Sequence, residues 1–158
     1  MKRVFLACLI VVPVAAGATA VMAAATSAVS AAATGPPRAA LKDPMCIQAS
    51  DPFSRGVAIT AVMRPQTGTE RMELKFNLLE MPQGQHTYTQ VTGGDLGRWI
   101  TAPSTLGQRG GDVWNRQKQV WNLSAPAVYR FRVGFRWMGA GGRSLGREFL
   151  WSGACDER

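Results

Sequence analysis

The chain has 158 residues, with 18 Lys and Arg against 10 Asp and Glu, and a formal charge of +8. That length suits one ordinary domain. The basic excess serves either solubility or attraction to an anionic surface outside the cell, such as a wall polymer, an acidic polysaccharide or a membrane. One histidine and three cysteines without a CxxC pair speak against a zinc site and against thiol catalysis.

Lys2 and Arg3, followed by the apolar run Val4 to Ala16 broken only by Pro13, read as the start of a signal peptide. Small residues fill Gly17 to Thr34, where Ala18-Thr19-Ala20, Ala23-Ala24-Ala25 and Ala31 to Ala33 all suit a signal peptidase. We place the signal at residues 1–25, with cleavage between 20 and 33. A membrane anchor competes with this reading, but apolar character fades into Ala, Thr and Ser within the span a membrane helix needs. Removal of Lys2, Arg3 and Cys8 leaves 16 basic and 10 acidic residues, a charge of +6, on a secreted chain without a stable membrane span.

Residues 26–44 read as a linker, disordered or extended: alanines, then Gly35-Pro36-Pro37, then Asp43-Pro44, with no apolar periodicity. Residues 45–158 form the expected domain, and there the pattern has period two. Val57, Ile59, Ala61 and Met63 alternate with Ala58, Thr60, Val62 and Arg64. Met72, Leu74, Phe76 and Leu78 alternate with Arg71, Glu73, Lys75 and Asn77, although Met72 to Glu80 also admits a helix. Tyr88 to Val91 suits a short edge strand, and Val113 to Leu123 is a weaker candidate with a polar middle. Tyr129, Phe131, Val133, Phe135 and Trp137 alternate with Arg130, Arg132, Gly134, Arg136 and Met138, and Phe149-Leu150-Trp151 reads as a final strand. Such runs are half-buried strands with one apolar and one wet face. Glycine- and proline-rich turns separate them, and no segment offers a capped amphipathic helix. The expected fold is all-β, a single antiparallel β-sandwich of about seven strands.

Export makes a disulfide permissible, and Cys46 and Cys155 are the two cysteines left to form it. The bridge closes a loop of about 110 residues, for which chain entropy gives roughly 4 to 5 kcal/mol. Two unpaired thiols are the alternative.

The stretch Leu123-Ser124-Ala125-Pro126-Ala127-Val128-Tyr129-Arg130-Phe131-Arg132-Val133 resembles the sixth strand of an immunoglobulin-like or fibronectin type III-like sandwich. The resemblance implies a tyrosine corner, with Tyr129 folding back onto upstream backbone, Leu123 packed beneath it and Phe131 in the core. More loosely, the whole pattern resembles short secreted Ig-like modules of high-GC bacteria, some near CARDB-type adhesion domains. The cysteines depart from the antibody pattern. Cys46 precedes the first strong strand and Cys155 follows the last, so the bridge is expected to staple the termini rather than join the sheets. Fold likeness by itself says little about activity.

Arg130, Arg132 and Arg136 share one face of a strand, and Ig-like pairing would set Glu73 and Lys75 across from them. Glu73 and Glu148 would then neutralise this ladder; otherwise it forms a cationic stripe for phosphate, sulfate or carboxylate groups. Trp137 and Trp151 are expected in the core. Trp99 and Trp114 adjoin glycine-rich loops, where an exposed indole beside Arg98 or Arg116 stacks on a ligand ring or plugs the sandwich end. His86 sits alone in a turn, and no GxSxG elbow is present. A hydrolase would need Glu73, Glu80, Asp95 and Asp112 gathered in a cleft. Gly93-Gly94-Asp95 and Gly110-Gly111-Asp112 read as turns with a backbone-capping aspartate rather than calcium loops.

These readings predict a secreted, non-catalytic recognition module without cofactor or metal. Its partner is an anionic or carbohydrate polymer of the cell envelope, bound through Arg130, Arg132, Arg136, Trp99 and Trp114. The alternative is a structural or assembly domain for another extracellular protein. Export speaks against nucleic acid.

Overall fold

The computed structural model describes one unit of the chain, residues 35–158. The signal-peptide reading, and the linker as far as residue 34, lie outside the described residues. Nine strands in two antiparallel sheets make up the unit, and no α-helix occurs among the described residues. They are β1 (Ala39–Ile47), β2 (Gly56–Met63), β3 (Arg71–Pro82), β4 (Thr89–Val91), β5 (Trp99–Thr101), β6 (Trp114–Trp121), β7 (Ala127–Met138), β8 (Ser144–Trp151) and β9 (Cys155–Glu157). The first sheet runs β1-β2-β6. In the second, β3 and β7 pair along their full length; β4 and β5 share the far edge of β3, and β8 and β9 share that of β7.

The alternation in β3 and β7 sets the core. Leu74 faces Phe135, Phe76 faces Val133 and Leu78 faces Phe131 in register, and all six are buried. Phe76 and Phe131 meet edge to face at 6.4 Å, a favoured aromatic geometry. Val57, Ile59, Ala61 and Met63 of β2 close the core from the other sheet. The helical alternative for Met72 to Glu80 is thereby settled as strand. β2 departs from the expected wet face: Ala58 and Val62, on its outward side, are only 3% and 1% exposed. β2 is the central strand of its sheet, and its short outward residues pair with longer ones such as Gln119 and Asn115, which shade them.

The linker reading is corrected at residues 39–44. Ala39 to Lys42 pair with Met63 to Thr60, so the chain is ordered there as the first half of β1. Only Ala39 and Leu41 point toward the core before a bulge between Lys42 and Met45 interrupts the register. Two apolar residues ahead of Asp43-Pro44 are too few to show as periodicity. The last strand is also not Phe149 to Trp151 but β9, three residues long.

Cys46 and Cys155 are bridged, with a Cα–Cα distance of 5.4 Å. The bridge ties the chain ends and, against the expectation, also joins the sheets, because β1 belongs to one and β9 to the other. Tyr129 meets its expectation. Its hydroxyl lies 3.0 Å from the Ser124 carbonyl oxygen and 2.7 Å from Glu80 Oε1, with Leu123 buried nearby in the core. Burial and then the Glu80 carboxylate push the phenol well above its ordinary range.

Glu157 is fully buried beneath the disulfide, with Oε1 at 3.2 Å from Cys155 Sγ and 3.6 Å from Cys46 Sγ. Its Oε2 has no hydrogen-bond partner among the described residues. Burial raises this carboxyl above the ordinary glutamate range, against a smaller pull from Arg55. A raised carboxyl binds its proton more tightly in the folded state. Its stability contribution is therefore complete in acid and erodes as pH climbs above about 4.3, the unfolded value. Glu157→Gln is expected to melt higher than the parent at neutral pH, with the advantage gone below about pH 4. Thermal melts at the two pH values check this, and an offset independent of pH contradicts it.

Candidate functional site

The β3–β7–β8 register decides what the outer face of the second sheet displays. One row across the strands holds Thr101, Glu73, Arg136 and Arg147; the next holds Trp99, Lys75, Gly134 and Phe149. The third holds Asn77, Arg132 and Trp151, and the fourth Leu79 and Arg130. Three of the five sequence-predicted ligand residues, Arg130, Arg132 and Arg136, thus share this face, and Trp99 joins them from β5.

Gly134 makes the central row possible. A Cβ there would stand 2.9 Å from Phe149 Cε1 and 3.1 Å from Trp99 Cη2, so both rings lean in from opposite sides over bare backbone. Guanidinium groups then stack on the rings. Arg136 Cζ lies 4.4 Å from the Trp99 centroid, with Arg147 and Lys75 at 5.8 Å. Arg132 Cζ lies 4.4 Å from the Phe149 centroid and 5.7 Å from that of Trp151, which Arg130 also approaches at 5.3 Å. Each such contact contributes about 0.5 to 1 kcal/mol at an exposed site, and together they hold long side chains in place.

The arginines differ in what remains free. Arg136 is ion-paired with Glu73, which also accepts from Arg71 Nε at 3.1 Å. Arg130 donates through Nε and Nη2 to the Ser152 carbonyl oxygen at 3.3 and 3.2 Å. The side chains of Arg132, Arg147 and Lys75 have no hydrogen-bond or ion-pair partner among the described residues. The Arg132 guanidinium thus rests against an aromatic ring with its N–H donors unclaimed among the described residues, and a guanidinium grips a carboxylate or phosphate through two parallel bonds.

Neutralisation of the ladder is half right. Glu73 pairs with Arg136, but Glu148 sits opposite Phe135 at an inward register position and belongs to the other side of the sheet. Glu73 is therefore the only acid in the four rows, which also hold Lys75 and four arginines.

Two tryptophans are corrected. Trp114 begins β6 in the opposite sheet and is buried in the core, so it takes no part in this surface. Trp151, expected in the core, is 49% exposed. Leu150 takes the inward position opposite Val133, which turns both neighbours of Leu150 outward. Gly134, Arg147, Phe149 and Trp151 were the functional candidates missed. The alternation Arg147-Phe149-Trp151 was visible, but which parity faces the core depends on the register with β7.

The remaining carboxylates are held apart by different partners. Glu80 faces the Tyr129 hydroxyl and Asp95 pairs with Lys118. Asp112 accepts from the backbone N–H of Gly107 and Arg109 at 2.9 and 3.0 Å, the capping role expected of it, and these bonds lower its pKa. His86 is exposed in the turn between β3 and β4. A cavity of about 170 Å³ beside the disulfide, lined by Met45, Val57, Leu78 and Phe131, contains none of the uncommitted cations. Comparison with models of known families, with curated proteins and with solved structures finds no match to this chain.

Proposed function

We propose that the chain is an exported, non-catalytic recognition module of the immunoglobulin-like type that binds an anionic polymer of the cell envelope on the outer face of its second sheet. The observation that carries the reading is Arg132: exposed, set over Phe149 and within reach of Trp151, and with its N–H donors unclaimed among the described residues. A side chain already ordered gives up less entropy on binding, so more of the contact energy appears as affinity. The Tyr129–Ser124 fold-back supports the Ig-like assignment. The disulfide suits an oxidising compartment, and no helix among the described residues is long and apolar enough to cross a membrane.

A second reading, a domain that docks another extracellular protein, draws on Trp121. This residue is exposed at the end of β6, the outer strand of the first sheet, and its ring covers Gly56. Salt separates the two, because charge-based binding weakens steeply with ionic strength and apolar docking does not. The test is co-sedimentation of the oxidised protein with isolated cell envelope at low and high salt, beside Arg132→Ser/Arg147→Ser. These two positions are chosen because neither has a partner to orphan. Binding that salt weakens and the double change cuts about tenfold or more supports the charged face. Salt-independent binding retained by the double variant moves the site to Trp121.

A further inference from the structure

The outer face of the first sheet is as poor in charge as that of the second is rich. Among the residues paired in register on it, Lys42 alone is charged, and Asp43 lies beside it in the bulge of β1. Charged residues are the usual occupants of an exposed surface, and this chain carries 18 Lys and Arg, so their exclusion here needs a reason. On β6 the outward positions are Asn115, Gln117, Gln119 and Trp121, each opposite a short residue of β2, and all four are exposed. The three amide side chains make no hydrogen bond among the described residues. Trp121 rests against Gly56, where a Cβ would stand 2.6 Å from ring carbon Cε3, yet the residue stays 48% exposed.

Each amide offers both a donor and an acceptor, as a sugar hydroxyl does. A hydroxyl can therefore replace water at either end of the amide, and no charge is desolvated in the exchange. The indole adds an apolar plane for ring C–H groups at one end of the stripe. From Asn115 to Trp121 the stripe runs about 20 Å at the rise of a strand, so an extended chain meets its members in succession and a single sugar cannot. A protein partner is matched less well. Exposed apolar surface is confined to one end of the face, at Met45 and Trp121, and the rest is polar where an interface core is apolar. From this we infer that the outer face of the first sheet is a second binding site, for an uncharged linear polysaccharide lying along β6. The inference goes beyond the anion-binding face and is independent of it, because the two lie on different sheets.

The test is calorimetric titration of the oxidised protein with four uncharged hexamers, of glucose, xylose, mannose and N-acetylglucosamine, beside their monosaccharides. At least one hexamer is expected to bind, more tightly than its monosaccharide and with an affinity that salt leaves unchanged. Trp121→Ala should cut that affinity about tenfold or more, and Gln117→Ala/Gln119→Ala several-fold. The two glutamines are exposed and unbonded, so their replacement leaves the fold intact. Arg132→Ser/Arg147→Ser should change nothing, which separates this site from the charged face. Hyaluronan oligosaccharides, with a carboxylate on alternate sugars, should show the opposite pattern. Failure of all four hexamers to bind overturns the inference; if the protein then self-associates until Trp121→Ala disperses it, the face belongs to a second copy. Binding that the arginine variant abolishes and Trp121→Ala spares also overturns it, and moves the glycan to the second sheet. A glutamine variant that binds as the parent does overturns the stripe and leaves the indole alone.

Discussion

Replacing Cys46 and Cys155 with serine is expected to cost about 4 to 5 kcal/mol, much of the net stability of a domain this size. The loop closed by the bridge separates its cysteines by 109 residues, so cutting the link returns the loop-closure entropy of a long loop to the unfolded chain. The native side adds to the loss. β9 pairs with β7 through only three residues, and the bridge is the covalent tie between β9 and the other sheet. Freed of it, β9 should fray first and expose Glu157, whose unpartnered carboxylate then prefers water. Denaturant unfolding of the oxidised protein and the double serine variant, with equal slopes, measures the difference. A change under about 1 kcal/mol contradicts the assignment of the bridge as a principal stabiliser.

Glu73→Gln should act in opposite directions on stability and on binding. Glu73 is almost buried and anchors both Arg136 and Arg71. Breaking a fully buried pair costs about 3 to 5 kcal/mol, but both arginines keep some access to water, so we expect about 1 to 3. The four rows, however, lose their only acid and regain the Arg136 fork for a ligand. Affinity for an anionic polysaccharide should rise several-fold at low salt and less at high salt. A stability loss accompanied by weaker binding would show that Glu73 positions the site rather than masks it.

The long strands were legible because their chemistry is local. In β3 and β7 apolar and charged residues alternate without interruption, so each side chain declares its face. The short strands were not. β5 and β9 have three residues each, and their pairing is imposed by β3 and β7 rather than by their own composition. The same limit explains the site. Arg130, Arg132 and Arg136 could be grouped by parity along one strand. Trp99, Phe149 and Trp151 reach them across strands, through a register that no single segment encodes. Trp151 was misplaced, and the two readings of Trp114 could not be separated, for one reason: a tryptophan in a strand shows no parity until the strand beside it is known. Gly134, one of the residues that alternate with the apolar face of β7, is the gap that lets two rings meet above the strand.

On the proposed reading, anions are recognised on the outer face of the second sheet. Heteronuclear NMR of the labelled, oxidised protein titrated with hyaluronan oligosaccharides tests it most directly. The expected result is saturable shifts at the Trp99 and Trp151 indole N–H, the Arg132 and Arg147 Nε–H and the Gly134 amide, with Trp121, Arg116 and Lys118 on β6 unmoved. Shifts gathered on β6, or around the Cys46–Cys155 cavity, with Arg132 silent, would contradict it.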